Sequence, residues 1–333
     1  MSRVSIEDRE LVLQAGETVL EALERAGIDA PSGCRSGTCC QCLQQAEGAV
    51  PPGSQGGLRE TLRDQGYFLA CQAVPTEDLR LRGSAGPEWR TTVIEERELL
   101  SESVLRLRLR TPKEWHYHPG QYLELRCPAG VRGPSDAPAA RSYSIASLPA
   151  DGTLELHVRA VPHGLVSVWL HAQPAGTELS IRGPFGQCYY LPDPEDRDLL
   201  LVGTGTGLAP LLGIARDAAK QGHRGSIRLI HGGVDPTGLY LRSELETLAS
   251  PLENWHLHFC VLRDAGANEL EGALDQVTLE LAGDLSKKRA FLCGDEAIVR
   301  TLRRTLFLHG LPSSEIFADP FTMSAPAGAV ATS

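Results

Sequence analysis

Five of the nine cysteines in this 333-residue chain lie between Cys34 and Cys71. Cys34, Cys39 and Cys42 follow Cys-x4-Cys-x2-Cys, and Cys71 comes after 28 further residues, which is the spacing by which plant-type 2Fe-2S clusters are held. Three thiolates on one tight loop and a fourth from a distant segment can give two sulfurs to each of two irons. Gly33 and Gly37 would let backbone amides turn toward the cluster sulfurs. Structural zinc is the other reading of clustered cysteines, but zinc sites present paired Cys-x2-Cys units and only Cys39 and Cys42 form one here.

The run Pro31-Ser-Gly-Cys-Arg-Ser-Gly-Thr-Cys-Cys-Gln-Cys42, with Gly66-Tyr-Phe-Leu-Ala-Cys71, resembles the cluster loop of plant-type ferredoxin domains and covers about the first quarter of the chain. One position departs from that family, which usually has Gly after its second cysteine where this chain has Cys40. Taking Cys40 as a ligand would give x5 and x1 spacings, so Cys39 is the assigned ligand. Cys40 reads either as a spare thiol that makes the loop sensitive to oxidation or as a tolerated small residue.

A second set of motifs lies within the middle third. Pro119-Gly-Gln-Tyr122, Arg141-Ser-Tyr-Ser144 and Arg159-Ala-Val-Pro-His-Gly-Leu-Val-Ser167 occur in that order within about fifty residues. Together they resemble the flavin-binding barrel of the ferredoxin-NADP reductase superfamily, as does Arg182-Gly-Pro-Phe-Gly186. The resemblance implies that Tyr143 offers an aromatic face to an isoalloxazine ring, Ser144 a hydrogen-bonding group beside N5, and Arg141 a cation for pyrophosphate. Arg159 is read as a second cation or as a solvated strand residue. Gly164, Leu165, Val166 and Ser167 open a helix expected over 166–172, whose N-terminal amides suit phosphate and favour FAD over FMN.

A third set follows. Gly203-Thr204-Gly205-Thr206-Gly207-Leu-Ala-Pro210 stands after the apolar strand Leu199–Val202 and before a helix, the context a phosphate-cradling loop requires. Leu292-Cys293-Gly294-Asp295 resembles the Cys-Gly pair of the same superfamily, which implies that Cys293 helps place nicotinamide C4 over flavin N5; a buried core thiol is the alternative. Asp235, in His231-Gly-Gly-Val-Asp235, stands where the adenine ribose is expected. It would repel a 2′-phosphate, and no Arg or Lys lies between Arg228 and Arg242, so NADH is expected over NADPH. Phe317-Ala-Asp-Pro-Phe321 resembles the terminal aromatic region of oxygenase reductases, which implies that Phe321 covers the flavin, with Phe317 as a core residue or the alternative.

Three segments must position these groups, with seams near 84–90 and 192–197 that are rich in Pro, Gly or charge. In the first, Thr18-x-x-Glu21 predicts a capping box on a helix carrying Leu20 and Leu23 and ended by Gly27. In the second, strands are expected over 103–109, 121–126, 142–146, 153–160 and 178–182, a pattern that suggests a small antiparallel barrel. The third alternates strands over 198–202, 226–232, 255–261 and 289–293 with helices over 209–220, 242–248 and 296–309, which predicts a doubly wound parallel sheet.

Composition narrows the function classes. Hydrophobic residues make up 42% and charged residues 22%, so a fully disordered or fibrous chain is excluded. The net charge of −10 leaves no phosphate-neutralising surplus, and nucleic acid is not expected as the main partner. Charges in MSRVSIEDRELVLQ stand where a secretory signal would be apolar, so a reducing, cytoplasmic location is expected. The uncharged stretch 199–215 is interrupted by Gly-Thr-Gly-Thr-Gly and is short for a bilayer span, so no membrane association is expected.

The whole order resembles the reductase component of bacterial multicomponent oxygenases. That resemblance implies a β-grasp 2Fe-2S ferredoxin domain (1–84), an antiparallel FAD-binding β-barrel (90–193), a doubly wound NAD-binding domain (196–323) and a disordered tail (324–333). Electrons would pass from NADH to FAD, to the cluster and on to a terminal oxygenase or another one-electron acceptor protein. The same relay serving a deoxysugar dehydratase, or an iron-sulfur redox sensor, are the other readings.

Overall fold

The structure is a computed structural model that describes residues 2–83, 86–128, 130–133, 138–193 and 195–321. The expected disordered tail, Ser84 and Ala85 of the first seam and Pro194 of the second lie outside the described residues. The chain forms two compact units, Met1–Glu88 with Phe185–Gln187, and Trp89–Pro184 with Cys188–Ser333. No described helix is long and apolar enough to cross a membrane.

The first unit holds β1 (Arg3–Ile6), β2 (Arg9–Val12), α1 (Val19–Arg25), β3 (Leu43–Gln45), α2 (Glu60–Asp64), β4 (Tyr67–Leu69) and β5 (Leu79–Leu81). β1 pairs antiparallel with β2 and parallel with β5, and β3 with β4 forms a separate ribbon. The α1 capping box is present: Glu21 N–H donates to Thr18 Oγ1 at 3.2 Å, and Thr18 N–H to Glu21 Oε2 at 2.9 Å. Leu20 and Leu23 are fully buried against the sheet, each worth about 1.5–3 kcal/mol relative to exposure. The helix stops where Gly27 takes a left-handed φ of +70°.

The second unit begins with β6 (Arg90–Leu99), β7 (Val104–Arg110), β8 (Tyr122–Arg126), β9 (Ala140–Ser144), β10 (Thr153–Arg159), α3 (Leu165–Ala172) and β11 (Glu178–Phe185), in the sheet order β10-β7-β6-β11-β8-β9. An Ile145–Leu156 bridge joins the end of β9 back to β10 and closes the barrel. β7 reads Val-Leu-Arg-Leu-Arg-Leu-Arg, and its period of two sends Leu105, Leu107 and Leu109 into the barrel core. Sequence patterning missed β6, whose outer half is charged and whose buried positions are only Thr92 and Ile94.

The rest of this unit is a parallel sheet: β12 (Asp198–Thr204), α4 (Leu208–Lys220), β13 (Ile227–Gly233), α5 (Arg242–Ala249), β14 (Trp255–Val261), β15 (Leu270–Glu271), α6 (Leu274–Ala282), β16 (Lys288–Asp295), α7 (Glu296–Leu308) and β17 (Ile316–Phe321). Its order is β15-β14-β13-β12-β16-β17. The winding direction reverses between β12 and β16, so the crevice at their carboxyl ends is where ligands bind in sheets of this kind. Gly203 pairs in register with Cys293 there.

Close backbone approach holds that crevice. A Cβ on residue 207 would lie 2.3 Å from the Cys293 carbonyl oxygen, and one on residue 294 would lie 2.6 Å from Thr204 O and Oγ1. Both contacts are shorter than side chains tolerate. Gly207→Ala is expected to cost about 1–3 kcal/mol and to lower the melting temperature by several degrees, whereas Gly56→Ala, which meets open space, leaves it unchanged; calorimetry of the two variants checks this.

Candidate functional site

The cysteine loop runs from α1 to β3 and folds through three left-handed residues, Arg35 (φ 53°), Gly37 (79°) and Cys40 (58°). Those turns aim amides at sulfur. Ser36, Thr38 and Cys39 N–H groups point at Cys34 Sγ at 3.4, 3.4 and 3.3 Å. The amides therefore come from the residues around Gly37 rather than from the two glycines themselves. A thiol bond from Cys39, with the Ser36 and Cys39 contacts, pulls Cys34 down to about 4 against the opposing effect of burial.

The four assigned ligands stand as two pairs. Cys34 and Cys39 exchange amide-to-sulfur bonds, Cys34 N–H to Cys39 Sγ at 3.5 Å and Cys39 N–H to Cys34 Sγ at 3.3 Å, and the buried Cys42 and Cys71 are electrostatic neighbours. Cys71 Sγ also receives Gln72 Nε2 at 3.5 Å, and the same amide reaches Arg35 O at 3.2 Å, tying the fourth ligand to the loop. No three described metal-ligating side chains converge on one point, while two pairs of thiols are the donor set of a two-iron cluster, two sulfurs to each iron. The residues fit a 2Fe-2S group. Cys40 is buried with Sγ toward Thr38 O at 3.6 Å, in a backbone conformation that costs Gly nothing and other residues about 1–2 kcal/mol.

In the barrel, Arg141, Tyr143 and Ser144 lie on β9, where Ser144 pairs with Tyr122 of the Pro119–Tyr122 motif. Arg141 is exposed, Tyr143 half-buried against the barrel core, and Ser144 buried. Gly164 is the N-cap of α3, and no side chain caps its first turn, Leu165, Val166 and Ser167. Those amides are of the kind that donate to a phosphate. Ser167 Oγ accepts Val161 N–H at 3.1 Å, so its oxygen braces the preceding turn. Arg159 is exposed at the end of β10, its Nη1 3.6 Å from where a Cβ on Gly205 would sit. Two predicted phosphate-binding elements are thereby brought together.

At the switch point, Gly205–Gly207 forms a 3-10 turn leading into α4. Thr204 Oγ1 accepts the Asp295 amide at 3.2 Å, and the Asp295 carboxylate caps α7 through Ala297 and Ile298 N–H. Gly294 has φ 122°. Cys293 is buried with Sγ 3.6 Å from Cys188 Sγ, and burial pushes its thiol well above the ordinary range. Asp235 ends the loop after β13 and accepts both Thr237 N–H (3.0 Å) and Oγ1 (2.5 Å), which lower its pKa.

Two functional candidates were missed in the sequence. Asp319, inside the Phe317–Phe321 motif, pairs in register with Cys293 and accepts Ser144 Oγ–H at 3.4 Å. It is buried, and burial pushes its carboxyl up to about 7. The other is Arg263, which arrives from the end of β14, bonds Val234 O at 3.1 Å through its amide and adds a favourable charge to Asp235. A search for cations along β13 alone could not find it. Phe317 stacks on Phe291 at 5.4 Å and is a core residue, while Phe321 is half-buried at the end of β17 opposite Asp295.

Three families of known domains match successive parts of the chain. The 2Fe-2S iron-sulfur cluster binding domain family matches residues 3–76, the oxidoreductase FAD-binding domain family 91–190 and the oxidoreductase NAD-binding domain family 201–304. The chain is 33% identical over 331 residues to the reductase component of the naphthalene 1,2-dioxygenase system of Pseudomonas putida, covering 94% of this chain and 96% of that one. It is 36% identical over 257 residues to the reductase subunit of an aromatic O-demethylase from an Amycolatopsis species, covering 71% and 73%. Among solved structures, an Amycolatopsis cytochrome P450 reductase superposes with a TM-score of 0.69 at 27% identity, covering 98% of this chain and all of that one. By these matches over nearly its whole length, the chain belongs to the family of 2Fe-2S, FAD- and NAD-binding ferredoxin reductase components of oxygenase systems.

Proposed function

We propose that this protein takes electrons from NADH and delivers them singly, through its cluster domain, to a terminal oxygenase of the ring-hydroxylating or hydroxylating type. FAD and the 2Fe-2S cluster, when bound, supply the conversion of a two-electron hydride into one-electron transfers. The reading assigns residues 1–84 to the cluster, 90–193 to FAD and 196–323 to NAD, in a cytoplasmic protein. Relatives that are themselves named as components of dioxygenase systems support the choice of partner.

One observation carries the assignment. Ser144 of the barrel lies 3.4 Å from Asp319, whose strand neighbour is Cys293 of the nucleotide sheet. The hydroxyl, the thiol and the carboxyl that would surround a hydride transfer therefore come from three separate sequence motifs to one place. Their work is positioning: Cys293 presents a neutral, poorly solvated thiol, and Ser144 presents a small donor. Asp319 holds a proton on its carboxyl up to about pH 7. Arg141, Arg159 and the first-turn amides of α3 are assigned to the flavin pyrophosphate, and Gly203, Thr204, Gly205, Thr206, Gly207, Gly294 and Asp295 to the NAD side. Phe321 is kept as an aromatic neighbour of the flavin. Cys34, Cys39, Cys42 and Cys71 are the iron ligands.

NADH is favoured because the Asp235 carboxylate, kept ionised by Thr237, repels a 2′-phosphate. Removing it leaves the favourable charge of Arg263 without the opposing carboxylate. Asp235→Ala is expected to raise kcat/KM for NADPH about tenfold relative to NADH, measured by ferricyanide reduction; an unchanged ratio would remove Asp235 from coenzyme selection.

Anaerobic addition of one equivalent of NADH to purified protein is expected to bleach flavin and iron-sulfur absorption together, with two irons and one FAD per chain. In Cys34→Ser, cytochrome c reduction is lost while FAD stays bound. Iron without flavin, or both present and untouched by NADH, would sink the reductase reading.

Asp319 also makes a stability prediction. Folded, it keeps its proton to about pH 7, whereas unfolded it releases it near the ordinary 3.8, so stability falls as pH rises between those values and is level above. The loss is at most on the order of 4 kcal/mol. Asp319→Asn should therefore melt higher than wild type at pH 8 and near it at pH 4, and a parallel pair of pH profiles would contradict this.

A further inference from the structure

The Gly205–Gly207 turn is held from behind by a buried polar chain that runs between the barrel and the nucleotide sheet. His231 on β13 is completely buried, and burial lowers its pKa to about 4 despite an opposing bond to Gly205. Its ring is therefore neutral near pH 7. Its Nε2 stands 3.3 Å from the Gly205 carbonyl oxygen; a carbonyl only accepts, so Nε2 carries the hydrogen. Gly205 O also takes the Leu208 N–H, which uses both of its lone pairs.

His231 is in turn fixed by Tyr240, whose ring meets it edge-on at 5.4 Å and 87°. Tyr240 OH lies 2.9 Å from His157 Nδ1, and His157 Nε2 lies 3.1 Å from Glu155 Oε1 on the same barrel strand, β10. Burial alone would raise Glu155, but His157, Arg106 and Arg216 together hold it at about 2, so it is a carboxylate that accepts from His157 Nε2–H. That leaves His157 Nδ1 to accept from Tyr240. Arg106 is anchored further by Glu98 at 2.8 Å and Glu244 at 2.5 Å, and Arg216 by Glu244 at 2.9 Å. The hydrogen-bond roles of Tyr240, His157 and Glu155 are thereby set, while His231 is held by its Nε2 bond and the Tyr240 edge, its Nδ1 having no hydrogen-bond partner among the described residues.

A trans peptide is planar, with its C=O and N–H pointing opposite ways. Fixing the Gly205 carbonyl toward His231 therefore fixes the Thr206 N–H to the opposite side of the peptide, away from His231. We propose that His231, braced by Tyr240, His157 and Glu155, is a positioning residue that sets the Thr206 amide to receive the pyrophosphate of the dinucleotide. This inference rests on reading Gly203–Gly207 as the nucleotide loop. A turn whose peptide can rotate must spend binding free energy to stop it.

The test uses holoprotein and ADP-ribose, which carries the pyrophosphate and no nicotinamide, with adenosine as the probe lacking phosphate. By calorimetry, His231→Leu is expected to weaken ADP-ribose about tenfold and leave adenosine unchanged. KM for NADH should rise about as much while kcat stays within about twofold. His231→Gln, which returns an N–H donor near the Nε2 position, should restore ADP-ribose binding to within about threefold of wild type. Should His231→Leu fail to fold, as judged by its flavin and cluster spectrum, Tyr240→Phe takes its place with about a threefold loss expected. Equal ADP-ribose affinity in wild type and variant, or a Gln variant as weak as Leu, overturns the inference alone. Wild-type protein that does not bind ADP-ribose overturns the nucleotide-loop reading with it.

Discussion

The Cys293 carbonyl oxygen and the α-carbon of residue 207 lie too close for any side chain between them, and the arrangement of the second unit depends on that approach. Two parallel strands, β12 and β16, end side by side at the point where the sheet reverses its winding. Glycine on one of them lets the turn above it collapse onto the other. Collapse brings the 3-10 turn, the Cys293 thiol and the cap of α7 into one crevice, and the pairing of β17 with β16 then places Asp319 beside the same thiol. Had residue 207 carried a methyl group, the turn would have to lift, and each of these neighbours would lose its register with the others.

A second constraint is electrostatic. β7 alternates leucine with arginine, so a strand that fills the barrel core with one face must put Arg106 on the other, and that face is covered too. Burying a guanidinium costs several kcal/mol unless its donors are met. Carboxylates from β6 and α5 take its two Nη groups while Glu155 of β10 stands 3.4 Å from Nε as an ion-pair partner, and an ion cluster of this kind stabilises little beyond its own desolvation. What it contributes is discrimination, because a barrel and a sheet packed in any other register would leave charges unpaired in a dry interface.

Much of this was legible in the residues alone, for identifiable reasons. The cysteine loop is found from spacing because three of its cysteines lie within nine residues, and the α1 cap and the β7 alternation are local patterns that tertiary packing left intact. The glycine turn was readable because a strand, a turn and a helix were consecutive. The illegible parts are those where partners are far apart in sequence. Asp319 sits in a motif whose aromatic residues attracted attention, and only the parallel pairing of β17 with β16 reveals that its carboxyl is buried next to Ser144, 175 positions earlier. Arg263 reaches Asp235 from a different strand end. β6 was hidden by its charged outer half, and α6 by a short amphipathic pattern in which only Val277, Thr278 and Ala282 are fully buried.

The place of β17 at the sheet edge has a consequence for the order in which the chain acquires its parts during synthesis. The five strands described within residues 1–88 have all been made by residue 81, so the cysteine loop and the core around it exist, apart from Phe185–Gln187 of the same unit, while most of the protein is still unmade. The crevice of the second unit is finished by the last strand described. At ribosomal rates of about 5–20 residues per second, that is a delay of roughly ten seconds to a minute. Over that interval the nascent chain carries a frame for iron but not yet the final strand that brings Asp319 to Cys293. A chain ended before β17 would therefore keep the cysteine loop and lack the strand that brings Asp319 beside Cys293.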